Sequence, residues 1–333
     1  MSLPTPVRIR IVAPLHRPEE VPDLARAGAD EIYCGYLPPD WISRYGDWDG
    51  LSRRQGTVAN LSFPDQLRRT ARACAELGMG SALALNVRFT EAQIPSVLDI
   101  ALLWESAGGT SVVVSCPNLL LALDRSGSRL QRHLSLLANC ANSAAIRLFL
   151  PLGVSRFVLP RELTIAEMAR IAAVEPGLEY EAMSYHDKCT FVDGLCGFYH
   201  DTVQAVETDL PADFDASDPS LPCVERIDPG YEGHGCGIAF ASSQGAPFTF
   251  GTRSSTPGCA VCDVAALADA GVTFLKIGGR GLPLAEKIRA IRRLRDAADR
   301  RESSTAGRAA PIPPQDPSRK GCREGRCYYG TDR

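Results

Sequence analysis

Leu178-Glu-Tyr-Glu-Ala-Met-Ser184 runs directly into Tyr185-His-Asp-Lys-Cys-Thr-Phe-Val-Asp-Gly-Leu-Cys196, and the reading of this stretch decides the fold. Its first seven residues have the composition of a buried strand, and two cysteines six residues apart follow at once. A strand that opens directly onto soft thiol ligands places a metal site at the mouth of an α/β barrel, because barrel active sites sit at the C-terminal ends of the strands. Further thiols follow at Cys223, Cys236, Cys259 and Cys262, before a last strand-like run at Thr273 to Ile277. Four thiolates from one long connection suit zinc or an iron-sulfur cluster rather than a hard, oxygen-loving ion. Zinc sites favour tight Cys-x2-Cys knuckles. Only Cys259 and Cys262 have that form, so the spacing favours the cluster.

Working outward, short β-branched runs alternate with amphipathic stretches, the signature of βα units and a parallel sheet. The runs are 7–13, 31–36, 81–87, 111–115, 132–137, 156–159, 178–184 and 273–277. Helical patterns lie between them, at 64–77, 91–107, 141–150 and 165–173. Eight such steps predict a (β/α)8 barrel of the TIM type with a long cysteine-bearing insertion between its last two strands; a doubly wound open sheet is the alternative. The barrel is expected over residues 5–300, with the insertion at about 186–262 and a Pro-rich linker and tail over 301–333. That tail ends in Gly321-Cys-Arg-Glu-Gly-Arg-Cys-Tyr-Tyr-Gly330, which either docks back on the barrel or hangs free.

With 333 residues, 45% of them hydrophobic, the chain can bury a large core without disulfide staples, so its twelve cysteines do not read as a secreted disulfide framework. The start of the chain has no signal-peptide pattern, and a cytoplasmic location is expected. No apolar run reaches the roughly 18 to 20 residues of a membrane span. A net charge of −3 gives no basic footprint for nucleic acid, and the arginines of 287–301 fall at helical spacing around an apolar stripe. A small-molecule ligand is the expectation, with nucleic acid disfavoured.

The barrel reading also yields residues at the strand ends: Cys34, Asn86, Ser115 with Cys116, Asn139, Arg161 with Glu162, and His186. Asn86, Asn139 and Ser115 serve equally well as turn or cap residues. Arg161 is the natural clamp for a substrate carboxylate, since its planar fork makes bidentate hydrogen bonds. His133 and His186 are candidates for proton transfer, although His133 begins a strand rather than ending one. Cys74, Cys116 and Cys140 read as small buried hydrophobes.

Four further segments carry a resemblance. They are Val112-Val-Val-Ser-Cys-Pro-Asn118, His133-Leu-Ser-Leu-Leu-Ala-Asn139, Arg156-Phe-Val-Leu-Pro-Arg-Glu-Leu-Thr164 and Ala270-Gly-Val-Thr-Phe-Leu-Lys-Ile-Gly-Gly-Arg280. With the Cys-x6-Cys pair, and in this order, they resemble peptidase family U32, in which Gly278 is usually Glu. The resemblance implies a barrel-like fold and a [4Fe-4S] cluster on four cysteines. Cys189 and Cys196 match the first two ligands, and Cys259 is preferred to Cys262 for the fourth. Cys236 matches the third imperfectly, so that Cys223 stays an alternative. Some members of this family carry a peptidase label. Others are needed for oxygen-independent hydroxylation of transfer RNA, ribosomal RNA or a ubiquinone precursor, with prephenate implicated as oxygen source. Neither a Gly-x-Ser-x-Gly elbow nor a His-Glu-x-x-His helix is present, which argues against proteolysis. The expectation is an iron-sulfur oxidoreductase that modifies a small organic substrate, a carboxylate in the case of an Arg161 clamp. The site residues would be Arg161, Glu162, His186, Asn139 and Asn86. The alternatives are a non-catalytic iron-sulfur partner, with a protein or paralogous subunit beside it, and an RNA-modifying hydroxylase.

Overall fold

In the computed structural model, eight parallel strands close on themselves. They are β1 (Arg10–Leu15), β2 (Glu31–Gly35), β3 (Gly80–Leu85), β4 (Ser111–Val114), β5 (Gln131–Leu134), β6 (Val154–Val158), β7 (Glu179–Tyr185) and β8 (Phe274–Ile277). β1 pairs with β2 through Val12↔Glu31 and with β8 through Arg10↔Phe274, so the sheet has no edge left to protect. The structure describes residues 8–46, 50–54, 59–189, 192–196, 199–200, 236–241, 247–252, 255–256, 258–303 and 327–329. Each of the eight expected runs coincides with one of these strands, and the open sheet is excluded by closure.

Each strand is followed by a helix that covers it: α1 (Val21–Ala27), α2 (Pro64–Glu76), α3 (Ile94–Ser106), α4 (Pro117–Arg125), α5 (Ser143–Phe149), α6 (Ile165–Val174), α7 (Val264–Asp269) and α8 (Leu284–Ser303). Local chemistry sets their starts. Thr164 and Glu167 form a reciprocal capping box at α6, and Asn142 caps α5 by accepting from Ala145 N. The strands alternate with period two. Ile11, Ala13, Leu15, Ile32, Cys34, Leu83, Val112 and Leu275 pack outward in the sheet-helix layer, whereas Val12, Tyr33, Ala82, Val113 and Phe274 form a separate cluster inside the barrel. Cys34 therefore belongs to the outer layer rather than to the mouth where the sequence placed it. Burial pushes its thiol up to about 12, and does the same for Cys74 and Cys140.

The barrel interior is not wholly apolar. Arg156 Nη1 lies 2.9 Å from both carboxylate oxygens of Glu31 and 3.2 Å from Glu181, while its Nε donates to Glu179 at 2.9 Å. Its guanidinium stacks 3.4 Å from the centre of the Phe274 ring. Lys276 Nζ donates to Glu181 Oε1 at 2.7 Å and stands 4.2 Å from the Tyr33 ring centre. Burial raises Glu31 to about 6, against the pull of Arg156. Burial also acts upward on Glu181, but the charges of Lys276 and Arg156 outweigh it and hold that carboxyl below its usual range.

Between β7 and β8 the expected insertion contains a pairing of Lys188–Cys189 with Ser255–Thr256. It also contains a three-stranded antiparallel sheet of Tyr199–His200, Cys236–Ala241 and Pro247–Thr252. Cys223, the side chain of Cys236 and the acidic 207–220 stretch lie outside the described residues, as does Cys322 in the tail. Among the described residues no helix is long and apolar enough to cross a membrane.

Candidate active site

The strands end at a cavity of about 110 Å³. Tyr33, Ala84, Val113, Val158, Met183 and Lys276 come from the barrel strands and line its base. The chain beyond the strand ends supplies its walls: Arg53 and Arg54 after β2, Asn86 after β3, Ser135 to Leu137 after β5, Arg161 after β6, Asp187, Cys189 and Asp193 after β7, and Arg280 after β8. Of the five residues expected to be catalytic, Arg161 and Asn86 line this space. Glu162 is exposed in the turn after β6, and Asn139 and His186 stand outside the lining.

Arg161 does not present an open fork to the cavity. Its Nε donates to Asp193 Oδ2 at 2.7 Å and its Nη2 to Asp193 Oδ1, while Nη1 donates to the carbonyl of Asp187. Burial opposes the charge, but Asp193 more than offsets this and keeps the guanidinium protonated beyond its ordinary range. The carboxylate that the sequence assigned to a substrate is thus, in the folded chain, the side chain of Asp193.

Asn139 has a related role. Its backbone is left-handed, with φ 52°, and its Oδ1 accepts from the N–H of Gly194 at 3.1 Å. A Cβ at Gly194 would stand 2.3 Å from the carbonyl of Leu137, so glycine is needed for this approach. Arg161 and Asn139 together fix the turn Asp193–Leu195, which delivers Cys196. Asn86 fixes the opposite wall: its Oδ1 accepts from Arg53 N at 3.1 Å and its Nδ2 donates to Ser135 Oγ at 3.3 Å.

His186 acts through its backbone. It has φ 57°, its N–H donates to Gly258 O at 2.9 Å, and its carbonyl accepts from the hydroxyl of Tyr328. His133 is sealed inside the barrel, and neither ring nitrogen has a hydrogen-bond partner among the described residues. Burial, then the charges of Arg156 and Lys276, hold it well below its ordinary range and therefore neutral. Its ring lies with Glu31 and Glu181 in the only trio of metal-ligand side chains gathered within 4.8 Å among the described residues. Arg156 and Lys276 already occupy the carboxylates of that trio, so a cation there would meet two fixed positive charges.

Cysteines lie on the chain beyond the strand ends instead. Cys189 lines the cavity, and the backbone carbonyl of Cys196 accepts from Arg53 Nη1 at 3.3 Å. The backbone of Cys259 pairs in single β-bridges with Tyr185 on one side and with Cys327 on the other, with no disulfide between the two cysteines. The end of the chain therefore docks. Tyr328 N donates to Cys259 O at 3.0 Å, Lys188 Nζ donates to Cys327 O at 2.6 Å, and Tyr328 is only 2% exposed. Two adjacent tyrosines after a Pro-rich stretch were the available signal for this docking, because large aromatic side chains favour burial.

Sequence reasoning assigned no role to Arg53, Arg54, Asp187, Lys276 or Arg280. Asp187, at φ 49°, pairs with Arg54 at 2.7 Å and accepts from Gly279 N at 2.8 Å. A Cβ at Gly278 would come within 2.5 Å of its carboxylate. Arg280 donates to Asn60 at 3.1 Å and to Ser52 at 2.7 Å, and lies across Gly35. A Cβ at Gly35 would stand 1.6 Å from Arg280 Nη1. Gly35→Ala should therefore cost about 1–3 kcal/mol of stability by overpacking. Gly177→Ala, which meets nothing within 4 Å, should stay within about 0.5 kcal/mol. Equal melting temperatures for the two variants would refute the close packing of Arg280 on Gly35.

The profile of peptidase family U32 matches residues 16–204, more than half of the chain. The chain belongs to peptidase family U32. Curated relatives include tRNA hydroxylation protein P of Haemophilus influenzae, 30% identical over 86 residues, which are 26% of this chain and 19% of that protein. The Escherichia coli protein of the same name is 28% identical over 89 residues, covering 27% and 20%. These matches span about a fifth of the length of the curated relatives. A solved U32 peptidase aligns with a TM-score of 0.49 at 11% identity, over 85% of this chain and 97% of that one. Among the described residues that line the cavity of this U32 chain there is no histidine to activate Ser135 or Cys189 as a nucleophile.

Proposed function

We propose that this U32 chain is an iron-sulfur enzyme that carries out an oxygen-independent redox step, of the hydroxylation type, on a small organic substrate held in the barrel mouth. The observation that carries the reading is that Cys189 lines the cavity, while Cys196 ends the turn whose carbonyl meets Arg53 and Cys259 pairs by backbone with Tyr185 at the end of β7. Soft thiolates spread along the long connection between β7 and β8 fit a cluster better than a compact zinc knuckle. Cys189, Cys196, Cys236 and Cys259 would hold a [4Fe-4S] group, with Cys223 and Cys262 as the alternates. When bound, such a group supplies electron transfer or, at an iron with an open position, Lewis acidity.

The chain's own residues do the rest. The Arg161–Asp193 pair holds the Cys196 turn in place, and Asn86 orients Arg53. Lys276 and Tyr33 form a charged and hydrogen-bonding base, with Tyr33 Oη donating to Ile277 O at 3.0 Å. The names of the curated relatives support hydroxylation. They also favour RNA as the substrate, against the expectation drawn from net charge, and this is the second reading. Val192 and Leu195, 39% and 78% exposed beside Cys196, are the feature that favours a protein partner.

Protein purified without oxygen should be brown and contain roughly four irons and four sulfides per chain. Cys189→Ala and Cys196→Ala should abolish the visible absorbance, as should Cys236→Ala and Cys259→Ala, while Cys223→Ala and Cys262→Ala keep it. Stoichiometric zinc with full activity would sink the cluster. Loss of a hydroxylated nucleoside from cellular RNA on deletion of the gene would move the assignment to the RNA reading.

A further inference from the structure

We propose that Arg53 is the anion clamp of this cavity and that its Nε/Nη2 edge receives a carboxylate of the bound small molecule. The inference rests on the reading that the barrel mouth is the substrate site, but not on the cluster.

Two arginines in one cavity are in opposite states. Arg161 uses its Nε and Nη2, the side-on fork of the guanidinium, to grip both oxygens of Asp193. In Arg53 the same two nitrogens are buried and have no hydrogen-bond partner among the described residues. A guanidinium cannot shed its charge at any physiological pH, so burial of that edge unsatisfied is costly unless something fills it.

The rest of Arg53 is fixed in advance. Its backbone N–H donates to Asn86 Oδ1 at 3.1 Å, and its Nη1 donates to the carbonyl of Cys196 at 3.3 Å. A clamp held at both ends loses little freedom on binding.

The class of ligand follows from charge. Among the cations that line the cavity, Arg161 faces Asp193 and Arg54 faces Asp187, Lys276 faces Glu181 just beyond the lining, and Arg280 donates through Nη1 and Nη2 to Asn60 and Ser52. A single fork with two parallel N–H donors matches the two oxygens and single charge of a carboxylate. A phosphate dianion would call on further cations, and these four are already engaged by the protein's own groups. The structure thus separates two jobs that one arginine was expected to do: Arg161 holds the protein's own carboxylate, and Arg53 holds the ligand's.

The test uses the full chain purified without oxygen, with benzoate and acetate as carboxylate probes, benzamide and acetamide as uncharged counterparts, and inorganic phosphate as the competing anion. Binding is read by calorimetry and by thermal shift, and the variants are Arg53→Gln and Arg53→Lys. Wild-type protein should bind at least one carboxylate and neither amide. Both variants should weaken that binding by about ten-fold or more, as loss of a charge-assisted fork requires, with iron content and visible spectrum unchanged.

Equal carboxylate binding by wild type and Arg53→Gln would overturn the proposal. So would carboxylate binding too weak to detect up to the solubility limit, or phosphate binding more tightly than either carboxylate. Loss of iron in Arg53→Gln would also overturn it, because the fork would then belong to the metal site. Arg53-dependent benzoate binding in protein that contains no iron would support this subsite while sinking the cluster, so the two readings fail separately.

Discussion

Arg156→Met should lower the free energy of unfolding by about 3–5 kcal/mol near neutral pH, the cost of removing one partner from a buried ionic network. Arg156 is 2% exposed and touches three carboxylates, of which Glu31 and Glu181 are themselves inside the barrel. Without it, Lys276 alone faces two buried acids. The effect should depend on pH in a direction that the geometry fixes. Glu31 titrates at about 6 in the folded protein against 4.5 ordinarily, so its folded form takes up a proton first. The stability associated with Glu31 is fully present below about 4.5 and is lost as pH rises through about 6, an amplitude of about 2 kcal/mol at 1.36 kcal/mol per unit. Removal of Arg156 takes away the main charge that opposes this rise. The deficit of Arg156→Met should therefore be smaller at pH 4.5 than at pH 7.5, and Glu31→Gln in the same protein should recover part of it. Urea unfolding at the two pH values measures both effects. A deficit independent of pH would mean that the arginine acts by packing alone.

Asp193→Ala should be nearly as damaging and should differ in its signature. The Arg161 guanidinium would keep its charge in a buried site with no carboxylate opposite, again about 3–5 kcal/mol. Because the same pair holds the turn that ends in Cys196, iron should be lost together with thermal stability if the proposed cluster is present. Asp193→Asn keeps the shape but not the charge and should fall between wild type and alanine. Arg161→Lys removes the fork and should resemble Asp193→Asn. The clamp expected from sequence alone would have shown the reverse, with turnover impaired and both stability and iron intact. Iron analysis beside a melt of each variant separates the two accounts.

The contrast between these arginines shows which part of the molecule was legible. The strands could be located because each is a short apolar run with period two, bounded by turn residues, and a parallel barrel repeats that unit eight times. Cys189 stood out because it follows β7 within four residues. The ion network could not be read, because Glu31 and Arg156 are 125 residues apart and a charged residue inside an apolar strand gives no clue to its partner. Arg53 and Arg54 lie on a connection without periodicity, where only the closed barrel brings them opposite Asn86 and Asp187. Arg161 was found but its partner Asp193 was not, since sequence shows that a fork exists and not what already fills it. Docking of Tyr328 depended on a contact with Cys259, 69 residues earlier by their numbers, and was left open for the same reason.

Gly278 and Asp187 carry a lesson about descent. The motif that this chain resembles has an acid at position 278. Here a side chain at that position would run into the carboxylate of Asp187, which reaches the same spot from the end of the neighbouring strand. A side chain at 278 would compete with Asp187 for one space, and at φ 49° glycine is the residue with least strain at position 187. The two positions are therefore coupled by packing, and Asp187 is the acid that pairs with Arg54. In an alignment these would appear as two unrelated losses of identity, ninety-one positions apart by their numbers. In the folded chain they amount to one acid handed from one strand end to the next.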